Sequence, residues 1–327
     1  MARKKKGREI SGILVIDKPA GVTSNGVLQQ VKRLYNAAKA GHTGALDPIA
    51  TGVLPICLCE ATKFSQRLLD SDKRYTTRVQ LGESRTTADI EGDVLETAAV
   101  PELTEDAIQA VLAQFKGEIT QVPPMYSALK HEGKKLYELA REGKDFDIQS
   151  KARQVSIHKL ELLGFGSDWL ELDVTCSKGT YIRSLAEDVA KGLGTLGHVA
   201  VLRRLGAGPY QADMMITMEE LQAMRDADAF SEMDNRLLPT YTALESMPII
   251  QVTLAQAQDL LHGRAIQAAE AVDNPPQSTG LGPQAQVQLR LFHEGQDHLI
   301  GVAEYQADGT VQPKRLLKVD GINPSND

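Results

Sequence analysis

The sequence has only three cysteines in 327 residues, and their distribution argues against two classes of protein. Three scattered cysteines are too few for the disulfide framework of a small secreted protein. Cys57 and Cys59 are separated by one residue, whereas structural zinc sites use wider spacing and a second pair of ligands, which does not follow here. Because Cys57 lies in the apolar run 53–58, we interpret these thiols as reduced core residues and expect no metal site.

Long apolar runs and nucleotide-binding loops are also missing. No stretch approaches the roughly 18 apolar residues of a transmembrane helix, and the basic residues 3–6 are not followed by the apolar segment of a signal peptide. We therefore expect a cytoplasmic protein without membrane association. Neither a phosphate-binding Gly-x-x-x-x-Gly-Lys-Ser/Thr loop nor a dinucleotide fingerprint occurs, so the sequence implies no nucleotide cofactor.

The charge of the chain is unevenly distributed. The net charge is -7, which is unusual for a protein that binds nucleic acid. However, residues 1–45 carry nine basic and two acidic side chains, whereas residues 221–327 carry seven basic and fourteen acidic ones. A basic N-terminal segment can contact phosphates, although its first residues could equally form a solvated tail. The charge distribution thus permits RNA binding without establishing it.

Strand and helix patterns alternate irregularly, which favours an α+β fold over a doubly wound one. The apolar runs 12–16 and 53–58 and the alternating segment 75–81 predict strands, and 155–162 and 170–176 predict a strand pair. Helical spacing of apolar residues predicts one helix from Thr23-Ser24 to Asn36 and another along 182–193.

Two further segments stand apart from this pattern. Residues 121–151 are rich in Lys, Glu and Gly, and they predict an excursion from the main sheet with a short helix at 136–141. A domain boundary is predicted near residue 248, which gives domains at 1–248 and 249–327. The second domain is expected to be small and β-rich, with a helix at 254–261 and strands at 287–292 and 299–305.

The segment 41–54, Gly-His-Thr-Gly-Ala-Leu-Asp-Pro-Ile-Ala-Thr-Gly-Val-Leu, is the most informative in the chain. Asp47 is followed by a proline, on a glycine-rich loop that leads into an apolar strand. Loops anchored in this way often carry function. On residue chemistry alone, Asp47 could also serve only to form a turn with Pro48.

The segment 41–54 resembles, nearly letter for letter, the signature of the TruB family of pseudouridine synthases. Residues 12–24 resemble the first motif of that family, 178–185 its third and 202–204 its fourth, so the resemblance spans about residues 11–220. It implies a pseudouridine synthase fold, in which helices flank a central mixed, largely antiparallel sheet. It also implies a C-terminal PUA-like domain, of which 313–317 is the most recognisable piece. The insertion at 121–151 resembles a thumb that clamps the T-stem-loop of tRNA.

The resemblance also implies a role for each matched position. Asp47 is expected to be the catalytic aspartate, acting either by covalent attack or by removing a sugar proton. Tyr75 is expected to stack on the target base and to help remove the proton from its carbon 5, and Arg183 to pair with the aspartate. Three more positions are assigned to substrate binding, with His42 filling the space of the flipped nucleotide and the other two lining the uracil pocket: His42, Tyr181 and Leu202.

From the residues alone, other interpretations remain open. Tyr75 and Leu202 could be ordinary core residues, and His42 could be an exposed loop histidine. Arg183 could pair with Glu187 one helical turn further on.

Lys18-Pro19 is interpreted as a structural turn that supports the loop of Asp47. Two places depart from the family pattern. Residues 85–89 read Arg-Thr-Thr-Ala-Asp where the family has Thr-Asp-Thr-x-Asp, and Leu205 replaces a threonine. We expect neither to touch the catalytic set, and we see no second acid placed to partner Asp47.

The resemblance implies a stand-alone enzyme that isomerises the uridine at position 55 in the T-loop of tRNA. An isomerisation needs no cofactor, and we expect a monomer with tRNA as its partner and no obligatory protein partner. Two alternatives share the fold: a catalytic subunit that depends on guide RNA, against which the thumb argues, and a non-enzymatic RNA-binding or tRNA-folding protein. A glycosidase would need a second carboxyl group beside Asp47.

Overall fold

A computed structural model describes residues 7–127, 129–131, 133–142, 147–267, 287–293, 299–306 and 308–318. Ten strands in these ranges form the main sheet: β1 (Gly12–Lys18), β2 (Ala40–His42), β3 (Thr51–Leu58), β4 (Lys73–Leu81), β7 (Gly117–Gln121), β10 (Arg153–Phe165), β11 (Trp169–Cys176), β12 (Gly197–Ala207), β13 (Tyr210–Gln211) and β14 (Ile216–Thr217).

The remaining strands form a second sheet and two small hairpins. The second sheet contains β15 (Ile249–Val252), β16 (Ile266–Gln267), β17 (Val287–His293), β18 (Leu299–Tyr305) and β19 (Thr310–Leu316). The hairpins pair β5 (Glu83–Arg85) with β6 (Val94–Thr97), and β8 (Lys130–His131) with β9 (Lys134–Lys135).

The α-helices connect and flank these strands: α1 (Ser24–Leu34), α2 (Ser65–Leu69), α3 (Glu105–Ala113), α4 (Leu136–Arg141), α5 (Ile182–Gly192), α6 (Met218–Asp226), α7 (Phe230–Asn235) and α8 (Leu254–Leu261). Short 3-10 helices lie at Cys59–Phe64, Ile148–Lys151, Ala212–Met214 and Thr240–Leu244. None of the helices in the described ranges has the length and apolar composition needed to cross a membrane.

The order of strands confirms the predicted α+β fold. Along the main sheet the order is β14-β1-β3-β12-β4-β11-β10-β7, with β2 added to β3 and β13 to β12. The pairs β1–β14 and β3–β12 are parallel, and the other pairs of this sheet are antiparallel. The sheet is therefore mixed and largely antiparallel, as expected. Strands β3, β12 and β4 lie side by side at its centre.

Helix α1 illustrates how the sequence determines these elements. The Thr23 hydroxyl accepts a hydrogen bond from the Gly26 N–H at 3.0 Å, which caps the first turn. Its apolar stripe is buried, as the helical spacing predicts. The helix ends at Leu34, two residues before the predicted end, because Asn36 has a positive φ of 48°.

The insertion predicted at 121–151 leaves the main sheet at Gln121, the last residue of β7, and returns at Arg153, the first residue of β10. Between these two strands lie the β8–β9 hairpin, α4 and the 3-10 helix Ile148–Lys151. The predicted short helix at 136–141 is confirmed by α4. We call Gln121 and Arg153, which are cross-strand partners, the root of the insertion.

The second sheet packs against one face of the main sheet. Ile13, Val15, Val53 and Cys57 of β1 and β3 belong to the same buried cluster as apolar residues of the C-terminal module. Cys57 is thus a core residue, as predicted, and burial raises the pKa of its thiol to about 12. The C-terminal module is β-rich as expected. Division into domains at residue 248 stays a prediction, because both segments contribute to this one cluster.

Candidate active site

Lys18 holds the segment that carries Asp47, residues 43–50, which we call the catalytic loop. The Lys18 side chain is fully buried at the end of β1. Its Nζ donates hydrogen bonds to the carbonyl oxygens of Pro19 at 2.9 Å, Pro48 at 3.1 Å and Ala50 at 2.7 Å. Burial lowers the pKa of Lys18 to about 8, while the charge of Asp47 acts in the opposite direction. Lys18 and Pro19 thus lie where a support of the catalytic loop is expected.

The other end of the catalytic loop is fixed by Ser24, the first residue of α1. The Ser24 hydroxyl donates to the Leu46 carbonyl at 3.1 Å and accepts from the Leu46 N–H at 2.7 Å. Just beyond the loop, Gly52 has a φ of +97°, and a Cβ there would lie 2.2 Å from the Arg204 carbonyl oxygen. Only glycine fits at that position. The loop is therefore held on both sides of Asp47.

Arg183, in the first turn of α5, pairs with Asp47. Its Nε lies 2.9 Å from Asp47 Oδ2, and its Nη2 donates to Oδ1 at 3.2 Å. The guanidinium is almost enclosed, with 4% of the side chain exposed, whereas 36% of the Asp47 side chain remains exposed. The alternative ion pair with Glu187 is not formed among the described residues. The carboxylate is thus accessible while its partner is shielded from solvent.

The rest of the Arg183 guanidinium contacts two loops. Nη1 donates to the Thr87 carbonyl at 2.7 Å, and Nη2 to the Tyr126 carbonyl at 2.9 Å. Asp89 Oδ2 lies 3.8 Å from Nη1. Our expectation that residues 85–89 do not touch the catalytic set is therefore wrong. The turn between β5 and β6 pairs with Val199 on β12, which brings it over the start of α5.

A second carboxylate, that of Asp89, lies against the same guanidinium as Asp47. The Asp89 side chain is 3% exposed and its charge raises the pKa of Asp47, so the two carboxylates interact. Its Oδ1 accepts hydrogen bonds from the Thr87 hydroxyl at 2.5 Å and the Glu91 N–H at 3.1 Å. Asp89 is thus buried and bonded within its own turn beside the Arg183 guanidinium, as suits an anchor for Arg183.

Burial raises the pKa of the Asp47 carboxyl above its ordinary value. The Arg183 and Lys18 charges lower it and the Asp89 charge raises it, and burial is the largest of these influences. The Arg183 guanidinium thus favours the ionised form of Asp47, but burial outweighs it.

Tyr75 lies on β4 directly across from Arg204 on β12. Arg204 is 1% exposed, and its guanidinium donates to the carbonyl oxygens of Val53 at 2.7 Å and Gly44 at 3.2 Å. Burial raises the pKa of the Tyr75 hydroxyl, Arg204 lowers it, and the nearby charge of Asp47 raises it. The Tyr75 phenol is consequently neutral at pH 7, and it belongs to the same electrostatic cluster as Asp47.

His42 ends the short strand β2, which pairs with β3. Burial and the charge of Arg204 both lower the pKa of its imidazole, so the ring is neutral at pH 7. Its Nδ1 is buried and has no hydrogen-bond partner among the described residues. The alternative of an ordinary exposed loop histidine does not fit this burial.

Tyr181 and Leu202 differ in how accessible they are. Tyr181 immediately precedes α5 and is partly exposed, and the guanidinium carbon of Arg153 lies 4.9 Å from the centre of its ring. Leu202 lies on β12 opposite Thr77, is 5% exposed and belongs to the main core. Their assignment to a uracil pocket stays a prediction.

Three residues near the site were not assigned a role from the sequence: Asp89, Gln121 and Arg204. Arg204 belongs to the motif at 202–204. Predicting a strand there would have placed this arginine on the central sheet. Asp89 and Gln121 act through contacts with residues about 60 to 95 positions away in sequence. No local pattern reveals such contacts. In the ranges that the structure covers, no cluster of three or more His, Cys, Asp or Glu side chains could hold a metal ion.

Comparison with known proteins identifies the family. Residues 32–182 match the profile of the TruB family pseudouridylate synthase N-terminal domain. Residues 183–245 match the tRNA pseudouridylate synthase B C-terminal domain, and 248–317 match the profile named pseudouridine synthase II TruB, C-terminal.

Curated relatives are similar over nearly the whole chain. The tRNA pseudouridine synthase B of Chromohalobacter salexigens is 49% identical over 322 residues, covering 98% of this chain and 99% of that protein. The protein of the same name from Vibrio vulnificus is 46% identical, covering 97% of this chain and 98% of its own length.

Solved structures share the fold. The crystal structure of a Cbf5-Nop10-Gar1 complex contains a chain with a TM-score of 0.72 at 24% identity, covering 96% of this chain and 87% of that one. A chain of the archaeal box H/ACA sRNP Nop10-Cbf5 complex gives a TM-score of 0.71 at 23% identity, covering 99% of this chain and 95% of that one. The family profiles and the full-length relatives together show that this chain belongs to the TruB family of pseudouridylate synthases.

Proposed function

We propose that this protein isomerises uridine to pseudouridine at position 55 in the T-loop of tRNA, as a stand-alone enzyme with Asp47 as its catalytic carboxylate. The observation that carries the proposal is the geometry of Asp47, an accessible carboxylate on a fixed loop, paired with the enclosed guanidinium of Arg183. The names of the full-length relatives support tRNA as the substrate.

The reaction exchanges the glycosidic C–N bond for a C–C bond, and Asp47 must be ionised for either of its proposed roles. Arg183 keeps a positive charge against the carboxylate, and its bonds to Thr87 and Tyr126 hold that charge in place. As the pH falls, Asp47 becomes protonated and the enzyme loses activity. Because the pKa of Asp47 is raised, this loss should begin at a higher pH than for an ordinary aspartate.

Tyr75 and His42 suit a mechanism in which the uridine is flipped out of its stack. Extrusion of a base costs a few kcal/mol, and stacking on an aromatic side chain is worth about 1–3 kcal/mol. The neutral phenol of Tyr75 can provide such a platform, and it can take a proton from carbon 5 only if it passes its own proton to another group. The neutral His42 ring can fill the vacated space in the RNA.

The insertion and the basic N-terminal segment are proposed to contact the phosphates of the T-stem-loop. The C-terminal module is acidic, so we expect it to contribute little to phosphate binding. No protein partner is needed in this proposal, in which a monomer acts in the cytoplasm. The guide-RNA alternative is less favoured because that branch generally lacks the insertion seen between β7 and β10.

The test uses the purified protein alone with an unmodified tRNA transcript, and pseudouridine is mapped by position. We expect product at position 55 from the wild-type protein and none from Asp47→Asn, with the tRNA dissociation constant changed by less than about threefold. Asp213→Asn, an exposed aspartate on a short 3-10 helix, is the matched control. Wild-type turnover by Asp47→Asn would disprove the catalytic role. Activity that appears only with added guide RNA would favour the guide-RNA-dependent subunit. If Asp47→Asn restored every phenotype of cells that lack this protein, an RNA-folding role would be favoured.

A further inference from the structure

The root of the insertion contacts Tyr181 from two sides. Gln121 is 1% exposed, and its side-chain amide bonds both backbone groups of Tyr181. Gln121 Oε1 accepts from the Tyr181 N–H at 2.7 Å, and Nε2 donates to the Tyr181 carbonyl at 3.0 Å. Arg153, the cross-strand partner of Gln121, places its guanidinium over the Tyr181 ring and donates to the Gly179 carbonyl. The two residues where the insertion begins and ends thus both contact Tyr181.

Tyr181 determines where α5 begins. Its carbonyl accepts the first helical hydrogen bond, from the Leu185 N–H at 3.1 Å, in addition to the bond from Gln121. No side chain caps this helix at Tyr181, so the Gln121 amide substitutes for a cap. Arg183 follows two residues later. Any displacement of Gln121 therefore moves the backbone from which the Asp47–Arg183 pair is built.

The first residues of the insertion make two further contacts with the start of α5. The Ser184 hydroxyl donates to the Val122 carbonyl at 2.8 Å, and Arg183 Nη2 donates to the Tyr126 carbonyl. Side chains from α5 therefore anchor the backbone of the insertion, while a side chain from β7 anchors the backbone of α5. Such reciprocal bonding makes the two segments move together.

We propose that Gln121 and Arg153 are positioning residues that set the geometry of Tyr181 and Arg183 according to the placement of the insertion. This inference rests on the proposed function, in which the insertion binds RNA. If RNA contact moves the insertion, the position of Arg183 relative to Asp47 would then change with it. The insertion would serve for alignment of the catalytic groups as well as for affinity.

The first test replaces Gln121 by methionine, which has a similar length and no hydrogen-bonding amide. Gln121→Met should lower the single-turnover rate constant on saturating tRNA transcript by about tenfold to a hundredfold, with tRNA affinity within about threefold of wild type. Gln154→Met is the matched control. It removes an exposed glutamine amide from the same strand pair, where the Gln154 side chain donates to the Thr120 hydroxyl, and it should leave the rate unchanged.

A double-mutant cycle distinguishes positioning from general stability. If Gln121 acts through the first turn of α5, Gln121→Met should cost less than about threefold in an Arg183→Lys background. Full additivity of the two losses would overturn the proposal, and so would a Gln121→Met rate equal to that of the control. If the wild-type protein makes no pseudouridine, the proposed function fails instead, so the two failures are distinguishable.

Two further variants cover the case that Gln121→Met does not fold. In Gln121→Glu, the introduced carboxyl group can donate and accept like the amide only when it is protonated. Its rate relative to wild type should therefore rise as the pH falls, and a ratio independent of pH would contradict the inference. Arg153 is partly exposed, so Arg153→Met should fold, and it should lower the rate constant by about threefold to tenfold at saturating tRNA. An effect of Arg153→Met on affinity alone would count against positioning.

Discussion

The catalytic loop and the root of the insertion support opposite halves of the Asp47–Arg183 pair, and they are held by different means. The catalytic loop is bonded by Lys18 and Ser24, which lie within about 30 residues of it and belong to the same core. The root is bonded by α5, whose contacts to Gln121 span 60 residues of sequence. The comparison suggests that Asp47 is fixed before RNA binds, whereas the place of Arg183 depends on the insertion.

Removing the guanidinium should produce the largest effect. Arg183→Met is expected to lower the single-turnover rate constant by at least about a hundredfold, because it removes a preorganised charge from an enclosed site. Arg183 lowers the pKa of Asp47, so its loss should raise that pKa further and move the acidic decline of activity to higher pH. The measurement is a pH–rate profile. Arg183→Lys keeps a charge and should show a smaller shift, and a profile that does not move would contradict the assigned pairing.

Lys18→Met tests the other half of the comparison. It removes the Lys18 donor from the buried Ala50 carbonyl and one of two donors from the Pro48 carbonyl, which still accepts from the Gly21 N–H, so the free energy of unfolding at pH 7 should decrease by about 1–3 kcal/mol. The rate constant should also fall, by about tenfold, because the catalytic loop loses its central support. Lys116→Met, at an exposed position outside the N-terminal segment and the insertion, is the control and should change neither quantity.

The pH dependence of stability provides a second measurement on Lys18. Its pKa is lowered from 10.5 to about 8 in the folded state, so between these values the unfolded chain binds a proton that the folded chain does not. Lys18 therefore makes wild-type stability rise with pH across that window. Lys18→Met lacks this contribution, so its deficit relative to wild type should grow from pH 8 towards pH 10.5. A constant deficit would show that the Lys18 pKa is not lowered.

Sequence patterns were sufficient for the parts of the molecule that depend on local periodicity. The apolar run of β3, the stripe of α5 and the short helix α4 follow from spacing alone, since each places its own residues on one face. The catalytic loop could be located because glycine, aspartate and proline are close together in it. The contacts of Asp47 with Arg183 could be expected only from the family resemblance, since 136 positions separate the two residues.

The remaining parts of the site depend on how distant segments fold against each other. The segment 85–89 was expected not to touch the catalytic set, and only the pairing of its turn with Val199 on β12 brings Thr87 and Asp89 to Arg183. The raised pKa of Asp47 could not be predicted either. The direction of this pKa shift depends on how deeply the carboxylate is buried. Burial outweighs the effect of the Arg183 guanidinium, which the resemblance implied.

Asp89→Asn should have a smaller effect than Arg183→Met. The asparagine keeps the shape and can still accept from Thr87 and Glu91, but it loses the charge that lies 3.8 Å from the guanidinium of Arg183. We expect about a tenfold lower rate constant, consistent with loss of one charged contact. Because the Asp89 charge raises the pKa of Asp47, the acidic decline should move to lower pH, opposite to the shift for Arg183→Met. If the acidic decline moved to higher pH in Asp89→Asn, as it should in Arg183→Met, Asp89 would act only by holding Arg183.

Ser24→Ala is the mildest change, and it sharpens the comparison between stability and positioning. Loss of the Ser24 hydroxyl leaves the buried Leu46 N–H and carbonyl without their partner, which should cost about 1 kcal/mol of unfolding free energy. Ser65→Ala removes a partly buried hydroxyl that donates to the Thr62 carbonyl, away from the catalytic loop, and it serves as the control. Because Lys18 still holds the catalytic loop, the rate of Ser24→Ala should fall by less than about threefold, well short of the loss expected for Gln121→Met. If Ser24→Ala lost more activity than Gln121→Met at equal tRNA saturation, Asp47 rather than Arg183 would be the half of the site that needs support.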